Sequence, residues 1–496
     1  MMRIKTTAYL PGLLLVLIGC SSSITPKLSK PSDELDKVVR LYPGNPRYIE
    51  YQGKPTILIT SAEHYGAMLN LDFDFRTYLE TLGKEGFNYT RIFTGTYVEP
   101  TDNFFGIQRN TLAPLPGNFI SPWVMVEGKY NLEKFNPAYF NRLKEFIQVA
   151  ESNGIVVEVT LFSSIYGEKA WERSPFHINN NLNGVGDLPY RRVNTLYNGE
   201  LSQVQERYFR KMVRELNACE NIFLEIQNEP WADNNNLAGY VNENDDELYP
   251  RSWQKNVELA NQISIEWQEW VVSLIREEEA SLPKTHLIGQ NICNFQHKLN
   301  HLPEGISIIN FHYALPGAVQ MNLGLGAVVG LDETGFMPHD DHHYINQAWR
   351  VILSGAGLYN NLDYSFTAGN ETGLWPIPDG NPGWGGPQFR EKLSILVETM
   401  KKVPFAEMEV TSSLLTETTP GMKQYGLQKK GEIYLVFVEE LEDAELIPLV
   451  PSARYEAIFI DIESGETKIE LVTLGNGTSI ESPFEKQRAV LLLKTQ

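Results

Sequence analysis

The stretch Asn221-Ile222-Phe223-Leu224-Glu225-Ile226-Gln227-Asn228-Glu229-Pro230-Trp231 decides how this chain is read. It opens as an apolar, β-branched run suited to a strand buried on both faces, yet it finishes in amides and carboxylates. Strand alternation predicts Glu225, Gln227 and Glu229 on one face and Leu224 and Ile226 on the other. If the apolar set packs on helices, the polar set points inward and Glu229 sits at the strand's C-terminal end. Pro230 has no N–H for a ladder, so the strand is expected to stop there.

Outward from this segment, short β-branched runs alternate with amphipathic stretches. Eight strands are predicted, over 56–60, 88–93, 155–162, 222–227, 286–290, 307–311, 327–331 and 357–362. Repeated strand–helix alternation predicts parallel strands with helical crossovers, and eight fit a closed barrel. Tyr139, Phe140, Leu143, Phe146, Ile147 and Ala150 recur at helical spacing, and Gly154 ends that helix. Longer helices are expected over 253–278 and 388–402. After Pro404 the texture changes to short strands (433–438, 455–460, 489–493) separated by Lys430-Gly431, Ser464-Gly465 and Asn476-Gly477 turns. The expected fold is α/β: a (β/α)8 TIM barrel over 41–403, then a small all-β, sandwich-like domain over 404–496.

A second carboxylate lies in Ala327-Val-Val-Gly-Leu-Asp-Glu-Thr-Gly335, where the same counting puts Val329, Leu331 and Glu333 on one face. Glu229 thus closes the fourth strand and Glu333 the seventh. Two carboxylates on one barrel rim meet the needs of glycoside hydrolysis with retention, in which one attacks the anomeric carbon and the other handles the proton. Retention requires carboxyl groups about 5–5.5 Å apart. Asn228-Glu229-Pro230 in this position, with Glu333, resembles the clan of retaining (β/α)8 glycosidases that includes cellulases, β-mannanases and β-galactosidases. The resemblance spans roughly residues 50–403. It implies Glu229 as acid/base, Glu333 as nucleophile, Asn228 as a donor to the sugar 2-hydroxyl, and Arg91 as the arginine that orients the nucleophile. Inward Glu225 and Glu158 are candidate partners for Arg91.

Departing from the cellulase-type pattern, His312 and Tyr313 are adjacent and not two apart, so they are expected to face opposite ways, with His312 reaching the site. His64 is a further candidate. Trp231 and Trp375 are expected to stack on sugar rings, whereas Trp253, Trp267, Trp270 and Trp349 read as helix packing. The long loops after the second, third and fourth strands are expected to wall the cleft. The alternative class is a non-catalytic glycan-binding surface protein on the same barrel.

The chain has 496 residues and a net charge of −20, from 42 Lys+Arg against 62 Asp+Glu. That field disfavours nucleic acid and leaves neutral carbohydrate as the expected partner. Arg3 and Lys5 precede an apolar run ending in Leu17-Ile18-Gly19-Cys20, which resembles a lipoprotein leader. Residues 1–19 are expected to be the signal peptide, Cys20 the lipidated anchor of an exported envelope protein, and 20–40 a flexible tether. Cys219 and Cys293 are expected to be free thiols. The polar group His339, Asp340, Asp341, His342, His343 reads as a helix entry, and no metal, cofactor or obligate protein partner is implied.

Overall fold

A computed structural model describes residues 38–240, 252–418, 422–439, 445–475, 477–484 and 488–494. The leader, Cys20 and most of the tether lie outside these residues. Among the described residues no helix is long and apolar enough to cross a membrane.

The eight predicted strands are present, with ends displaced by at most two residues except in the fifth, which runs four residues further than expected. They are β1 (Leu58–Ala62), β2 (Tyr89–Phe93), β3 (Val156–Ser163), β4 (Ile222–Asn228), β5 (Ile288–Asn294), β6 (Ile308–His312), β7 (Val328–Glu333) and β8 (Leu358–Leu362). They pair in parallel in the order β1-β8-β7-β6-β5-β4-β3-β2. The seam between β1 and β2 is closed by Asn88. Its N–H donates to Ile59 O (3.4 Å), and its side chain accepts from Ile59 N–H and donates to Ile57 O, both at 2.9 Å. Asn88→Ala removes both side-chain bonds and should cost about 1–2 kcal/mol, seen as a lower urea midpoint with unchanged slope.

Helices α1 (Phe75–Lys84), α2 (Pro137–Ser152), α3 (Leu201–Leu216), α4 (Gln262–Glu279), α5 (Pro316–Gln320), α6 (Asp341–Leu353) and α7 (Pro387–Met400) surround the strands. All six apolar residues that predicted α2 are buried. Residues 295–307, between β5 and β6, contain no helix, so the alternation is incomplete at that crossover. The helix expected from residue 253 starts only at Gln262. Asn261 caps it by accepting from Ser264 N–H, and an N-cap residue has non-helical dihedrals, so the helix cannot run back through it. Upstream, Ser252–Lys255 form a single turn and Asn256–Ala260 pair antiparallel with Asn235–Tyr240. The expected helix entry at 340–343 is present, with Asp340 as the N-cap of α6.

The barrel interior is layered. Its floor is apolar: Leu58, Tyr89, Val156, Phe223, Ile308, Val328 and Leu358 pack on Ile49 and Tyr51 from the small antiparallel sheet (40–56) that plugs the bottom. Above this lies a buried polar layer of Arg91, Glu158, Thr160, Glu225, Asn291, Asn310 and Asp332. The inward parity of β7 is therefore Val328, Gly330 and Asp332, while Val329 and Leu331 join the core beneath the helices. This corrects the counting that put Val329 and Leu331 with Glu333. The registry between β6 and β7 slips, because Phe311 pairs with Leu331 but His312 with Glu333. The extra residue is a bulge, and it turns Glu333 to the rim although its parity is wrong. A similar slip interrupts β5 between Asn291 and Cys293. Both Cys219 and Cys293 are free.

The C-terminal region is all-β. Six strands, β9 (Glu409–Thr411), β10 (Lys423–Lys429), β11 (Ile433–Glu439), β12 (Ala453–Asp461), β13 (Thr467–Leu474) and β14 (Arg488–Lys494), form one sheet ordered β9-β10-β11-β14-β12-β13. One face enters the main core, where Phe437 packs on Trp349 of α6 (5.7 Å between rings). The other covers Leu414, Leu446 and Ile480 beneath a two-stranded ribbon (Glu445–Leu446 with Ile480–Glu481). Among the described residues, the second layer of the expected sandwich is thus reduced to this ribbon.

Candidate active site

Glu229 ends β4 in the left-handed region (φ 45°, ψ 53°), with Pro230 opening a short helical turn, Pro230–Asp233. Its backbone is pinned twice: the N–H donates to Asn291 Oδ1 (2.9 Å) and the carbonyl accepts from the Ser164 hydroxyl (2.6 Å). Its carboxylate accepts from the Tyr166 hydroxyl (2.7 Å) and lies 2.9 Å from His312 Nδ1. Across the mouth, Glu333 accepts from the hydroxyls of Tyr65 (2.8 Å) and Tyr313 (2.9 Å), with Arg91 Nη1 at 3.5 Å. One oxygen of Glu229, one of Glu333 and a ring nitrogen of His312 all lie within 4.8 Å of one another.

Beneath the pair, Arg91 is fully buried. It donates to Glu225 (2.6 and 3.0 Å), to Thr160 (3.2 Å) and to Asn228 Oδ1 (2.7 Å), and it faces Asp332 (3.5 Å) and Glu158 (3.7 Å). Arg91 therefore joins both partners expected for it to the nucleophile candidate and to Asn228. Asn228 holds its remaining polar contacts through Nδ2, which donates to the Tyr166 hydroxyl (2.7 Å) and more weakly to Ser163 Oγ (3.5 Å).

So many carboxyl groups around one guanidinium cannot all be ionised, and their environments separate them. For Glu333, burial raises the pKa, but His312, Arg91 and the Tyr65 hydroxyl outweigh it and bring the group down to about 2. Asp332 behaves likewise: burial is overcome by Arg91 and His312, and its carboxyl falls well below the usual range. Glu225 goes the other way, to about 7, because burial and the adjacent Asp332 charge exceed the pull of Arg91. Burial, with Glu225 and Asp332 as neighbours, pushes Glu158 well up. For His312, burial favours the neutral ring, yet Glu333 and Asp332 raise its pKa well above 6.5. With Asp332 and Glu333 brought down and Glu225 and Glu158 pushed up, the negative charge gathers on Asp332 and Glu333, beside Arg91 and His312.

Several residues around the carboxylates hold positive φ without being glycine: Tyr65 (59°), Tyr166 (62°), Glu229 (45°) and Tyr313 (50°). Such conformations are costly for these residue types and cluster where surrounding structure enforces them. This is why His312 and Tyr313 both reach the site. Alternation would turn Tyr313 away, but its left-handed backbone, held by the N–H bond to Glu333 O (2.8 Å), swings the phenol over the carboxylate.

A cavity of about 350 Å³ opens above the pair. Loops after β2 (Tyr97, Glu99), β3 (Tyr166) and β4 (Trp231, Trp253) supply much of its wall, as the long loops led us to expect. Trp231 is buried edge-on against His312 (5.2 Å between centroids) and lines the cavity. Trp253, which the sequence assigned to a helix, lines the cavity beside Tyr313 (5.0 Å). Trp375 stays outside the wall, beneath Arg109 (5.7 Å). His64 lines the wall and contacts Glu99 (3.3 Å). Sequence reasoning missed Tyr65, Tyr166, Asn291, Asp332 and Glu99. The tyrosines depend on left-handed turns that no residue type announces, and Asp332 was hidden by the bulge. Two groupings carry metal-type donors, Glu229/His312/Glu333 and Glu158/Glu225/Asp332. Positive charge reaches both from His312 and Arg91.

Neither a family model nor the sequence of any curated protein matches the chain. Solved structures share its fold. A glycoside hydrolase family 5 protein from Bacteroides vulgatus superposes with a TM-score of 0.63 at 12% identity, covering 95% of this chain and 95% of that one. A protein described only as a glycoside hydrolase gives 0.59 at 12% identity over 93% and 98% of the two chains. At such identities the likeness is one of fold.

Proposed function

We propose that this chain is a retaining glycoside hydrolase that cleaves a β-linked oligo- or polysaccharide through a covalent glycosyl-enzyme intermediate. The observation that carries this reading is the short distance between a Glu229 oxygen and a Glu333 oxygen, within 4.8 Å. Carboxyl oxygens that close suit direct attack by one carboxylate and fall short of the separation an inverting enzyme keeps for its water. Glu333, with its pKa depressed to about 2, is the nucleophile. Its charge is shared among two tyrosine hydroxyls, His312 and Arg91, which position it against the anomeric carbon. Glu229 protonates the leaving oxygen and later deprotonates water. Asn228 places one amide hydrogen on Tyr166 and holds the other only loosely, 3.5 Å from Ser163 Oγ, so that one can be offered to the sugar 2-hydroxyl. The reading also places the enzyme in the cell envelope, carried by its leader and anchored through Cys20.

The test is to follow product anomers by proton NMR on β-linked polysaccharides and aryl β-glycosides, using protein lacking residues 1–20. Retained β-configuration is expected, and initial release of the α-anomer rejects the mechanism. Glu229→Ala should lose about 10²–10⁴-fold on substrates with poor leaving groups and much less on dinitrophenyl glycosides. Added azide should restore its turnover and give a β-glycosyl azide; absence of that product counts against Glu229 as acid/base.

A further inference from the structure

The cavity has a polar end for which the reacting pair does not account. Glu99, from the loop after β2, is buried among Phe93, Ile107 and Leu112. One of its oxygens lies 3.3 Å from His64 Nε2 and the other accepts from Asn110 Nδ2. A buried carboxylate is costly unless its acceptor positions are met, and two donors leave about half of its roughly four lone-pair sites open. Nearby, three more buried polar atoms lack a hydrogen-bond partner among the described residues: His64 Nδ1 and the hydroxyls of Tyr97 and Tyr364. The His64 ring is held between Tyr65 (5.5 Å) and Tyr364 (5.2 Å), so these groups form a rigid wall. Buried polar atoms are nearly always satisfied; these sit on lining residues just beneath the cavity surface, and unsatisfied groups there mark where ligand atoms or a bridging water go. The charged side chains around this cavity are Glu99, Glu229, Glu258, Glu333 and His64. An anionic sugar would meet like charge on most sides, because His64 is already engaged by Glu99, and Arg91 and His312 by Glu333 and its neighbours.

We infer that Glu99, with His64 and Tyr364, binds adjacent hydroxyls of the sugar whose bond is cleaved, and that this sugar is a neutral pyranose bearing neither carboxylate nor sulfate. Each Glu99 oxygen accepts one hydroxyl hydrogen, while His64 Nδ1 and the Tyr364 hydroxyl face the hydroxyl oxygens. The inference rests on the hydrolytic reading above and sharpens its substrate class.

Two readouts separate the claims. The first is kcat/KM for wild type, Glu99→Gln and Glu99→Leu on 4-nitrophenyl β-glucoside, β-mannoside and β-galactoside, on their 3-, 4- and 6-deoxy forms, and on the β-glucuronide. The second is binding of the same glycosides to Glu333→Gln and to Glu333→Gln/Glu99→Leu by saturation-transfer NMR. Thermal midpoints of all variants check folding. In wild type, loss of one ring hydroxyl should cost about 10²-fold or more, because buried polar groups are then left unpaired. Glu99→Leu should be slow on the parent sugar yet indifferent to that same deletion, with Glu99→Gln intermediate. The glucuronide should be the poorest substrate. Deoxygenation penalties unchanged in Glu99→Leu, or a glucuronide that matches the best neutral sugar, overturn the inference and leave hydrolysis standing. Glu99-dependent, hydroxyl-sensitive binding without wild-type turnover upholds the inference and rejects hydrolysis. Neither turnover nor binding rejects both.

Discussion

Glu333→Gln is expected to reduce kcat by on the order of 10⁴-fold or more, since removing a group that acts as a unit with its neighbours forfeits most of the chemistry. The amide is nearly isosteric and can keep hydrogen bonds with Tyr65 and Tyr313, which lie 2.8 and 2.9 Å away, so KM or ligand affinity should change little. Single-turnover kinetics with an aryl glycoside would test this: a residual burst of aglycone would contradict the nucleophile assignment. The variant should also alter acid stability in a defined direction. The folded-state pKa of Glu333, about 2, lies below an unfolded value near ~4.3. The group therefore stabilises the fold above pH ~4.3, and that contribution disappears as pH falls through about 2. The stability gap between wild type and Glu333→Gln should accordingly narrow from pH 6 to pH 3, measured by chemical denaturation at each pH.

Arg91→Met should have the largest effect on stability. Arg91 is fully buried and is the guanidinium shared by Glu225, Asp332, Glu333 and, more loosely, Glu158. Breaking such an arrangement from one side leaves uncompensated buried charge, which costs about 3–5 kcal/mol. The sign of its pH dependence follows from the same geometry. Without the cation, Asp332 and Glu333 lose the pull that holds them low, and Glu225 and Glu158, already raised, rise further, so stability falls as pH rises through them. The loss should be greater at pH 8 than at pH 5, by urea titration. Arg91→Lys would not rescue it, because one ammonium cannot supply the fork that binds Glu225 through Nε and Nη2 and Asn228 through Nη2. Equal losses at both pH values would mean that packing, not charge, is what Arg91 contributes.

The strands were readable because each is an apolar, β-branched run, and the two rim glutamates because each follows such a run directly. Where the strands depart from regularity, that logic failed. Counting in twos carried Glu333 to the correct rim but gave the wrong inward neighbours, since the bulge at Asp332 inserts one residue. Adjacent His312 and Tyr313 were expected to diverge, and they converge because Tyr313 adopts φ 50°. Left-handed tyrosines carry none of the glycine or asparagine signal that normally marks such turns. Residues 253–261 resembled the start of a long helix through their apolar spacing, and only the Asn261 cap decides otherwise. Glu99 lay in a loop with no periodicity to read, and its importance emerges only from what surrounds it in space.

The left-handed backbones of Tyr65, Tyr166, Glu229 and Tyr313 have a bearing on how such a barrel can be improved. Each costs on the order of 1–3 kcal/mol that a relaxed residue would not, and each side chain touches one of the two carboxylates proposed to react or is one. Glycine at these four positions would be the easier occupant for the chain and a useless one for the chemistry. Attempts to harden the scaffold by consensus or by selection for heat resistance will therefore be drawn first to its working residues. Selection on robustness alone would erode the site from its rim while leaving the barrel, its polar middle layer and its apolar floor intact.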